Sequence, residues 1–101
     1  MAFRPVCTVG QLPPGGLTEI TLGDQSIALC NVDGEFHAIE GVCPHRNGPL
    51  GQGALHGKMV VCPWHAWEFD CLTGQHDYNP SITVATYPVK VEGEDILVDI
   101  D

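Results

Sequence analysis

The sequence predicts an all-β fold, a small antiparallel sandwich or barrel. Glycine and proline recur along the whole chain, with 12 and 8 among 101 residues, and they divide it into short apolar-rich segments. Such spacing is typical of strands joined by tight turns. No segment shows the three-to-four-residue apolar period of an amphipathic helix. Because no linker or low-complexity segment interrupts the chain, we expect one domain over residues 1–101.

The first half of the chain predicts a hairpin followed by a third strand. Residues 16–22 and 26–32 are apolar-rich and flank a Gly-Asp-Gln turn signal. A second turn at Asp33-Gly34 leads into residues 35–40, which alternate polar and apolar side chains as a half-buried strand does. Residues 41–53 are rich in proline and glycine, so regular structure is expected to stop there.

The second half of the chain predicts four more strands separated by turns. The predicted strands are residues 55–61, 67–70, 83–91 and 95–100. The first of them contains a turn at Gly57-Lys58, and the last two pair as a hairpin around Gly93-Glu94. Residues 72–80 are rich in turn-forming residues and are expected to form an irregular connection.

Charge and apolar content exclude several classes of function. Thirteen acidic against four basic side chains give a formal net charge of −9, which disfavours contact with nucleic-acid phosphates and with anionic membranes. A basic partner surface suits this charge, although acidity also simply keeps a small protein soluble. No apolar stretch approaches the roughly 20 residues that span a bilayer, and the N-terminus lacks the apolar segment of a secretion signal. We therefore expect a cytoplasmic monomer.

The five cysteines are an odd number in a chain expected to be intracellular, which argues against a disulfide framework. Three of them stand alone within or beside apolar strands, where cysteine usually behaves as a small buried hydrophobe: Cys7, Cys30 and Cys71. Three histidines have no neighbouring ligand residue and are expected at the surface or in turns: His37, His56 and His76.

Two short segments concentrate the metal-binding chemistry of the chain. Cys43-Pro44-His45 and Cys62-Pro63-Trp64-His65 each place one thiol and one imidazole close together, and sixteen residues separate the two segments. Cys and His are ligands of zinc and of iron–sulfur centres. Common zinc modules present Cys-x-x-Cys or paired His, whereas Cys and His alternate in this chain. The alternation suits a two-iron cluster with both thiolates on one iron and both imidazoles on the other.

The residues that follow each motif complete a resemblance to Rieske-type ferredoxins over essentially the whole chain: Gly48-Pro49-Leu50 after the first motif, and Trp67-Glu68-Phe69-Asp70 with Leu72-Thr73-Gly74 after the second. The resemblance implies one Rieske-type [2Fe–2S] cluster, with Cys43 and Cys62 on one iron and His45 and His65 on the other. It places the cluster-binding part of the domain at roughly residues 41–80.

The same resemblance implies a one-electron carrier that is not itself an enzyme. The chain is similar to the ferredoxin component of bacterial dioxygenase systems, which accepts electrons from a flavin-dependent NAD(P)H reductase and delivers them to a terminal oxygenase. Two alternatives stay open. The first is the small Rieske-like subunit of an NAD(P)H nitrite reductase, and the second is a zinc-stabilised binding module that uses the same four ligands.

Three aromatic residues distinguish the second motif from that of respiratory-chain Rieske proteins. Those proteins carry Ser and Tyr hydroxyl donors and a disulfide-forming Cys where this chain has Trp64, Trp67 and Phe69. Hydrogen bonds to the cluster sulfurs stabilise the reduced state, so the resemblance predicts a reduction potential in the lower part of the family range. We expect Trp64 to shield the cluster and Trp67 to pack in the core. Asn79-Pro80 lies where the family has a proline-containing loop that covers the cluster.

Overall fold

Strands account for almost all of the regular structure in a computed structural model that describes residues 3–44, 47–64 and 66–99. The strands are β1 (Phe3–Thr8), β2 (Leu17–Leu22), β3 (Gln25–Val32), β4 (Glu35–Glu40), β5 (Ala54–His56), β6 (Met59–Val61), β7 (Glu68–Asp70), β8 (Thr86–Tyr87), β9 (Val89–Glu92) and β10 (Asp95–Asp99). Two 3₁₀ helices are Val9–Gln11 and Leu50–Gln52. None of the described helices has the length and apolar content needed to cross a bilayer. The predicted all-β class is confirmed.

The strands form three antiparallel sheets. The terminal sheet has the strand order β1-β10-β9, the central sheet β2-β3-β4-β8, and the loop sheet β5-β6-β7. In the terminal sheet the register runs from Phe3 opposite Asp99 to Thr8 opposite Asp95, with an irregularity between Pro5 and Cys7. The first and last described strands of the chain therefore lie side by side.

Strand β3 separates two apolar cores, because its side chains alternate between the two faces of the central sheet. Ala28 and Cys30 belong to the core shared with the loop sheet, whereas Ile27 and Leu29 belong to the core shared with the terminal sheet. All four side chains are fully buried. Full burial of one Ile or Leu side chain contributes about 1.5–3 kcal/mol. The central sheet is thus the middle layer, and its two faces hold the other two sheets in place.

The predicted hairpins are confirmed, with small shifts at their ends. Leu22 pairs with Gln25, so the first hairpin turns over Gly23-Asp24. Gly23 has a φ of +63°, in the left-handed region that glycine enters without steric cost. The β5–β6 hairpin turns at Gly57-Lys58 and the β9–β10 hairpin at Gly93-Glu94, as the turn signals predict.

The prediction of one strand over residues 83–91 is wrong, because Pro88 divides this segment between two sheets. Strand β8 pairs with β4 in the central sheet, and β9 pairs with β10 in the terminal sheet. Proline has no N–H to donate to a ladder, and the Pro88 carbonyl instead accepts the Asp99 N–H at 3.0 Å. Strand β1 has no counterpart among the predicted strands, since Arg4 and Pro5 obscure its alternation.

Cys30 and Cys71 are joined by a disulfide bond. Their predicted burial is confirmed, with exposed fractions of 0% and 1%, but the prediction that disulfides are absent is wrong. Cys30 lies on the β3 face that meets the loop sheet, and Cys71 directly follows β7, so the fold brings two cysteines together that are 41 residues apart. Cys7 lies outside this bond and is half-buried, and burial raises the pKa of its thiol.

Candidate metal centre

The cysteines of the two Cys-His motifs each begin a segment that is closed in the same way. Val42 pairs with Pro49 across the first loop, residues 43–48, and Val61 pairs with Glu68 across the second loop, residues 62–67. The two loops have equal length, and in each of them the cysteine comes first. The differing spacing of the two motifs in the sequence, Cys-x-His and Cys-x-x-His, conceals this equivalence.

The cysteine carbonyl of each loop accepts a hydrogen bond from the N–H four residues later. Asn47 donates to Cys43 at 2.7 Å, and Ala66 donates to Cys62 at 3.0 Å. Both donors have left-handed backbone conformations, with φ of +59° for Asn47 and +60° for Ala66. A left-handed residue at this step ends the turn and reverses the chain direction, as it does at the end of a helix.

A second hydrogen bond closes each loop from the cysteine N–H. Cys43 donates to the Gly48 carbonyl at 2.8 Å, and Cys62 donates to the Trp67 carbonyl at 2.7 Å. A proline follows each cysteine, and its fixed φ suits the second position of a turn. Both loops are therefore rigid at the cysteine, which holds each Cys backbone in one orientation.

The first loop lies directly against the thiol of the second. A Cβ atom on Gly48 would come within 2.7 Å of Cys62 Sγ and within 3.4 Å of the Trp64 ring. Glycine is thus required at this position by close approach of the two loops. The Cys43 and Cys62 side chains are buried, with exposed fractions of 1% and 2%. The arrangement brings the backbone of one loop beside a buried thiol of the other, which fits a metal group bound between the loops.

The two predicted imidazole ligands, His45 and His65, lie outside the described residues. Within the described ranges, no group of three or more His, Cys, Asp or Glu side chains forms a potential metal site. Thiolates together with imidazoles are the donor set of zinc and of two-iron clusters. The residues that are described fit such a group.

Aromatic side chains flank the second loop. Trp64 is 57% exposed, and it lies beside the close contact between Gly48 and Cys62. Trp67 is half-buried and packs against the core below the loops, as predicted. Its ring centroid lies 4.6 Å from that of His76 in an edge-on arrangement.

His76 is buried, with an exposed fraction of 8%, and pairs with Phe69 in an isolated β-bridge, so the prediction of a surface or turn position is wrong for this residue. Its Nδ1 accepts the N–H groups of Tyr78 and Asn79, both at 3.2 Å. These bonds hold the segment that contains Asn79-Pro80 against the aromatic residues of the second loop. His37 is half-buried rather than exposed, whereas His56 is exposed as predicted.

An ion pair supports the loop sheet next to the second loop. Lys58 Nζ lies 3.0 Å from Asp70 Oδ2, and the Leu72 N–H donates to Asp70 Oδ1 at 2.8 Å. Burial by itself raises the pKa of the Asp70 carboxyl, but the Leu72 N–H, the Lys58 ammonium and the Thr73 N–H stabilise the carboxylate. The pKa of Asp70 is lowered overall. The charge on Asp70 thus ties the β5–β6 turn to the end of β7.

Three features of the site were missed by sequence reasoning. They are the left-handed Asn47 and Ala66, the disulfide, and the burial of His76. A signal for the first was present, because Asn47 and Ala66 both stand four residues after the cysteine of their motif. The pairing of Cys30 with Cys71 had no signal in the spacing of the cysteines.

The chain matches the family model described as Rieske [2Fe-2S] domain over residues 2–88. The ferredoxin component of biphenyl 2,3-dioxygenase from Rhodococcus jostii RHA1 is 36% identical over 102 residues, which cover 100% of this chain and 95% of that protein. The biphenyl dioxygenase ferredoxin subunit from Pseudomonas sp. KKS102 is 37% identical over 101 residues, covering 98% of this chain and 93% of that protein.

Solved structures show the same similarity. The Sphingomonas yanoikuyae B1 ferredoxin superposes with a TM-score of 0.88 at 29% identity, covering 99% of this chain and 100% of that one. A chain of the complex of reduced oxygenase and oxidized ferredoxin in carbazole 1,9a-dioxygenase gives 0.87 at 26% identity, covering 95% and 91%. A putative NADH-dependent nitrite reductase small subunit from Mycobacterium tuberculosis gives 0.85 at 27% identity, covering 96% and 93%.

Proposed function

Because this chain belongs to the family of Rieske [2Fe–2S] domains, we propose that it is a cytoplasmic one-electron carrier that delivers electrons to a terminal oxygenase. Its cofactor is a Rieske-type [2Fe–2S] cluster. Like its ferredoxin relatives, it is an electron-transfer component and not the catalyst of the oxygenation. The family resemblance predicted from the two motifs is thereby confirmed. The zinc-stabilised binding module is the less favoured alternative.

We assign the four cluster ligands residue by residue. Cys43 and Cys62 bind one iron, and His45 and His65 bind the other. When bound, the cluster accepts and releases a single electron. The chain holds each cysteine in a closed loop, keeps the Cys43 and Cys62 side chains away from bulk water, and leaves no side chain at Gly48 between the loops.

The observation that carries this proposal is the matching geometry of the two loops. Each cysteine donates and accepts one backbone hydrogen bond at the same offsets, and each loop has a left-handed residue at the same step. The two loops therefore present their thiols in equivalent positions, as a metal group held between two loops requires. The family match and the alternation of Cys and His in the sequence favour a two-iron cluster over a single zinc ion.

The surface beside the loops supports transient contact with a partner. Trp64 is 57% exposed and Tyr78 is 88% exposed, and exposed aromatic side chains are common anchors of protein interfaces. The net charge of −9 favours a partner with a basic docking face and speeds the encounter of the two proteins. These features suit a carrier that binds a flavin-dependent NAD(P)H reductase and an oxygenase in turn.

A second candidate is the small subunit of an NAD(P)H-dependent nitrite reductase. The similarity to the Mycobacterium tuberculosis structure, described as such a subunit, favours it. The two candidates differ in how the chain associates. A subunit co-purifies with a large catalytic chain, whereas a carrier separates from its partners during purification.

The ligand assignment is tested by replacing the two thiols. Cys43→Ser and Cys62→Ser are each expected to abolish the visible absorption and the electron paramagnetic resonance signal of the reduced protein, because a neutral hydroxyl replaces an iron-binding thiolate. Cys7→Ser is the matched control, since Cys7 is in the terminal sheet, and it should keep both signals. An unchanged spectrum in Cys62→Ser would refute the assignment, and a colourless wild-type protein that binds stoichiometric zinc would establish the zinc-stabilised module.

The partner assignment is tested by following reoxidation of the reduced protein by stopped-flow absorption. We expect the terminal oxygenase of a biphenyl dioxygenase to reoxidise it, and the large subunit of a nitrite reductase to leave it reduced. A stable one-to-one complex with the nitrite reductase subunit, with no electron transfer to the oxygenase, would establish the second candidate.

A further inference from the structure

We propose that the Cys30–Cys71 disulfide is a covalent lock that retains the cluster and that opens only by reduction with thiols. The proposal rests on the ligand assignment above for its effect on the cluster, but the bond itself is tested independently. Nothing in the family similarity assigns this pair. The bond is also distinct from the inter-loop disulfide of respiratory-chain Rieske proteins, because neither cysteine lies in the first or second loop.

The position of the bond in the chain is the first argument. It joins β3 of the central sheet to the residue after β7 of the loop sheet, across 41 residues of sequence. Both cluster loops lie between the bonded cysteines. The bond therefore closes a ring of polypeptide that contains every proposed ligand, and it restrains the loop sheet from separating from the central sheet.

The packing around the bond is the second argument. Cys30 and Cys71 lie in the same apolar core as Cys43 and Cys62, and their exposed fractions are 0% and 1%. A thiol reductant must reach one sulfur along the direction of the bond. It reaches neither sulfur while the core is closed, so reduction requires the loop sheet to open first. The folded protein thus keeps the bond in surroundings that reduce exposed disulfides.

The fold also accommodates the reduced pair. Cys71 Sγ lies 3.9 Å from the His37 carbonyl oxygen, so a thiol at Cys71 has an acceptor in place. The Cys71 backbone is held separately, because its N–H donates to the Lys58 carbonyl at 2.8 Å. Reduction breaks the bond and leaves the local backbone supported. The reduced and oxidised forms therefore differ in whether the ring of polypeptide is closed, and not in the strands that surround it.

The chemistry needs two electrons and two protons. Two thiol molecules, for example two molecules of glutathione, reduce the bond: each transfers one hydrogen, Cys30 and Cys71 become thiols, and one molecule of glutathione disulfide forms. Oxidised glutathione reverses the step. The cluster exchanges one electron at a time, so a single reduction of the cluster does not open the lock.

The existence of the bond is tested by counting free thiols. Cells are quenched in acid, the protein is denatured without reductant, and its free cysteines are then alkylated. We expect three alkylated cysteines, Cys7, Cys43 and Cys62, and five after reduction of the denatured chain. Five alkylated cysteines before reduction would overturn the proposal, whatever cluster the protein carries. Because this measurement is made on the denatured chain, its outcome does not depend on the ligand assignment.

The function of the lock is tested by the rate at which the holoprotein loses visible absorption in urea below its unfolding midpoint. Dithiothreitol is expected to speed the loss in the wild type by about tenfold or more, since it removes the ring closure once the core opens. The double variant Cys30→Ala/Cys71→Ala should lose the cluster at the fast rate with or without dithiothreitol. Cys7→Ala is the control and should behave as the wild type.

Direct attack of dithiothreitol on the cluster predicts a different pattern, in which the reductant speeds cluster loss equally in the wild type and in the double variant. That pattern, or equal slow rates in both proteins without reductant, would overturn the proposal. If the Cys30→Ala/Cys71→Ala protein accumulates without a cluster, the double variant Cys30→Val/Cys71→Ala is used instead. Its valine fills part of the core volume that the two sulfur atoms occupied. In either case the comparison of the wild type with the double variant, each with and without dithiothreitol, decides the question.

Discussion

Ala66 and Asn47 adopt the left-handed backbone conformation at the same step of their loops, and they differ in how well they tolerate it. Asn enters this region readily because its short polar side chain bonds locally, whereas an alanine pays roughly 1–2 kcal/mol for the contact of its Cβ with the following carbonyl. The second loop keeps Ala66 there because its N–H closes the turn on Cys62. Loop closure therefore outweighs local backbone preference at this residue.

A branched side chain at this position should be costly. Ala66→Val is expected to lower the free energy of unfolding by about 1–3 kcal/mol, because a β-branched residue is strongly disfavoured at positive φ. Ala66→Gly should stay within about 1 kcal/mol of the wild type, since relief of the contact offsets the extra freedom of glycine in the unfolded chain. Urea unfolding followed by circular dichroism measures both.

The matched control for this substitution is Ala54→Val, on the exposed face of β5 with an ordinary backbone conformation. Valine suits a strand, so this variant should be neutral or slightly stabilising. Equal destabilisation by valine at positions 54 and 66 would show that the left-handed conformation has no energetic role.

The reduction potential is also set by single residues near the cluster. By the resemblance, Trp67 and Phe69 stand where respiratory-chain Rieske proteins carry Ser and Tyr hydroxyl donors, and Trp64 stands where they carry a disulfide-forming Cys. None of these three side chains offers such a hydroxyl. We expect a midpoint potential in the lower part of the Rieske range, which runs from about −150 to about +300 mV. Redox titration followed by visible absorption measures it, and a value above about +200 mV would contradict the prediction.

The two cysteines of the site could be found in the sequence because chemistry limits the choice of ligand. Few residue types bind iron, and two motifs of Cys with His are specific. The left-handed residues were not found, because neither is a glycine and their shared position four residues after each cysteine does not by itself indicate a backbone conformation. The conformation of Ala66 follows from closing a loop of fixed length between β6 and β7, which is a property of the folded hairpin.

Among the elements, the loop sheet depends most on a charged contact. Lys58 in the β5–β6 turn and Asp70 at the end of β7 join all three of its strands. The carboxylate of Asp70 also accepts the Leu72 N–H, immediately beyond the disulfide-bonded Cys71. Three short strands bury little apolar area of their own, so the contacts of this carboxylate contribute to the stability of the hairpin that carries the second loop.

The lowered pKa of Asp70 makes part of the stability depend on pH. Folding favours the carboxylate, so the stabilisation is fully present above the unfolded-state pKa and is lost as pH falls through the lower folded-state pKa. Asp70→Asn has no carboxylate to protonate. Between about pH 5 and about pH 3, its urea midpoint should therefore fall less than that of the wild type.

Asp24→Asn serves as the control for this prediction, because Asp24 lies in the exposed β2–β3 turn. It should follow the pH dependence of the wild type. Identical slopes for the wild type and Asp70→Asn would show that the folded state does not favour the Asp70 carboxylate.

Hairpins could be predicted from the sequence wherever a glycine turn joins two apolar runs, as at Gly23 and Gly93. The sheet to which a strand belongs could not. Residues 83–91 have continuous strand character, and only the missing N–H of Pro88 allows the chain to leave the central sheet for the terminal sheet. Which strand a segment pairs with depends on strands that are distant in sequence, so the local sequence pattern does not predict it.

Over the whole molecule, acidic charge is the dominant electrostatic feature. With a formal net charge of −9 on 101 residues, the acidic side chains repel one another in the compact state. Two acidic residues, Asp95 and Glu92, stand at opposite positions of β9 and β10, although the Glu92 carboxylate also pairs with Lys90. Salt weakens such repulsion over distances beyond about 10 Å at 0.1 M.

Salt should therefore stabilise the protein. We expect the melting temperature, measured by circular dichroism, to rise by a few degrees between about 0.01 M and about 0.3 M sodium chloride. Asp95→Lys should melt higher than the wild type at low salt and gain less from added salt, since it replaces a repulsive cross-strand pair with an attractive one. A melting temperature that falls with salt in the wild type would show that attractive pairs dominate its surface.

The disulfide shows how much of the whole molecule lies beyond the reach of sequence analysis. Cys30 and Cys71 each look like an isolated apolar residue, and their burial was predicted on that basis. Their proximity requires the loop sheet to pack on one face of β3, and therefore requires the complete three-layer arrangement. No spacing between cysteines encodes such a contact.

The pairing of β1 with β10 has a consequence for how this fold combines with other polypeptides. Phe3 stands opposite Asp99, so the two ends of the fold lie side by side. In a longer polypeptide that contained this fold, the chain would enter and leave the fold at the same place. Fusion to another protein at either end, or insertion of the whole unit into a surface loop of a host enzyme, then leaves the electron-carrying loops unaltered in sequence. A circular permutant with a short peptide joining the old ends and new ends opened at Gly23 should assemble the same three layers.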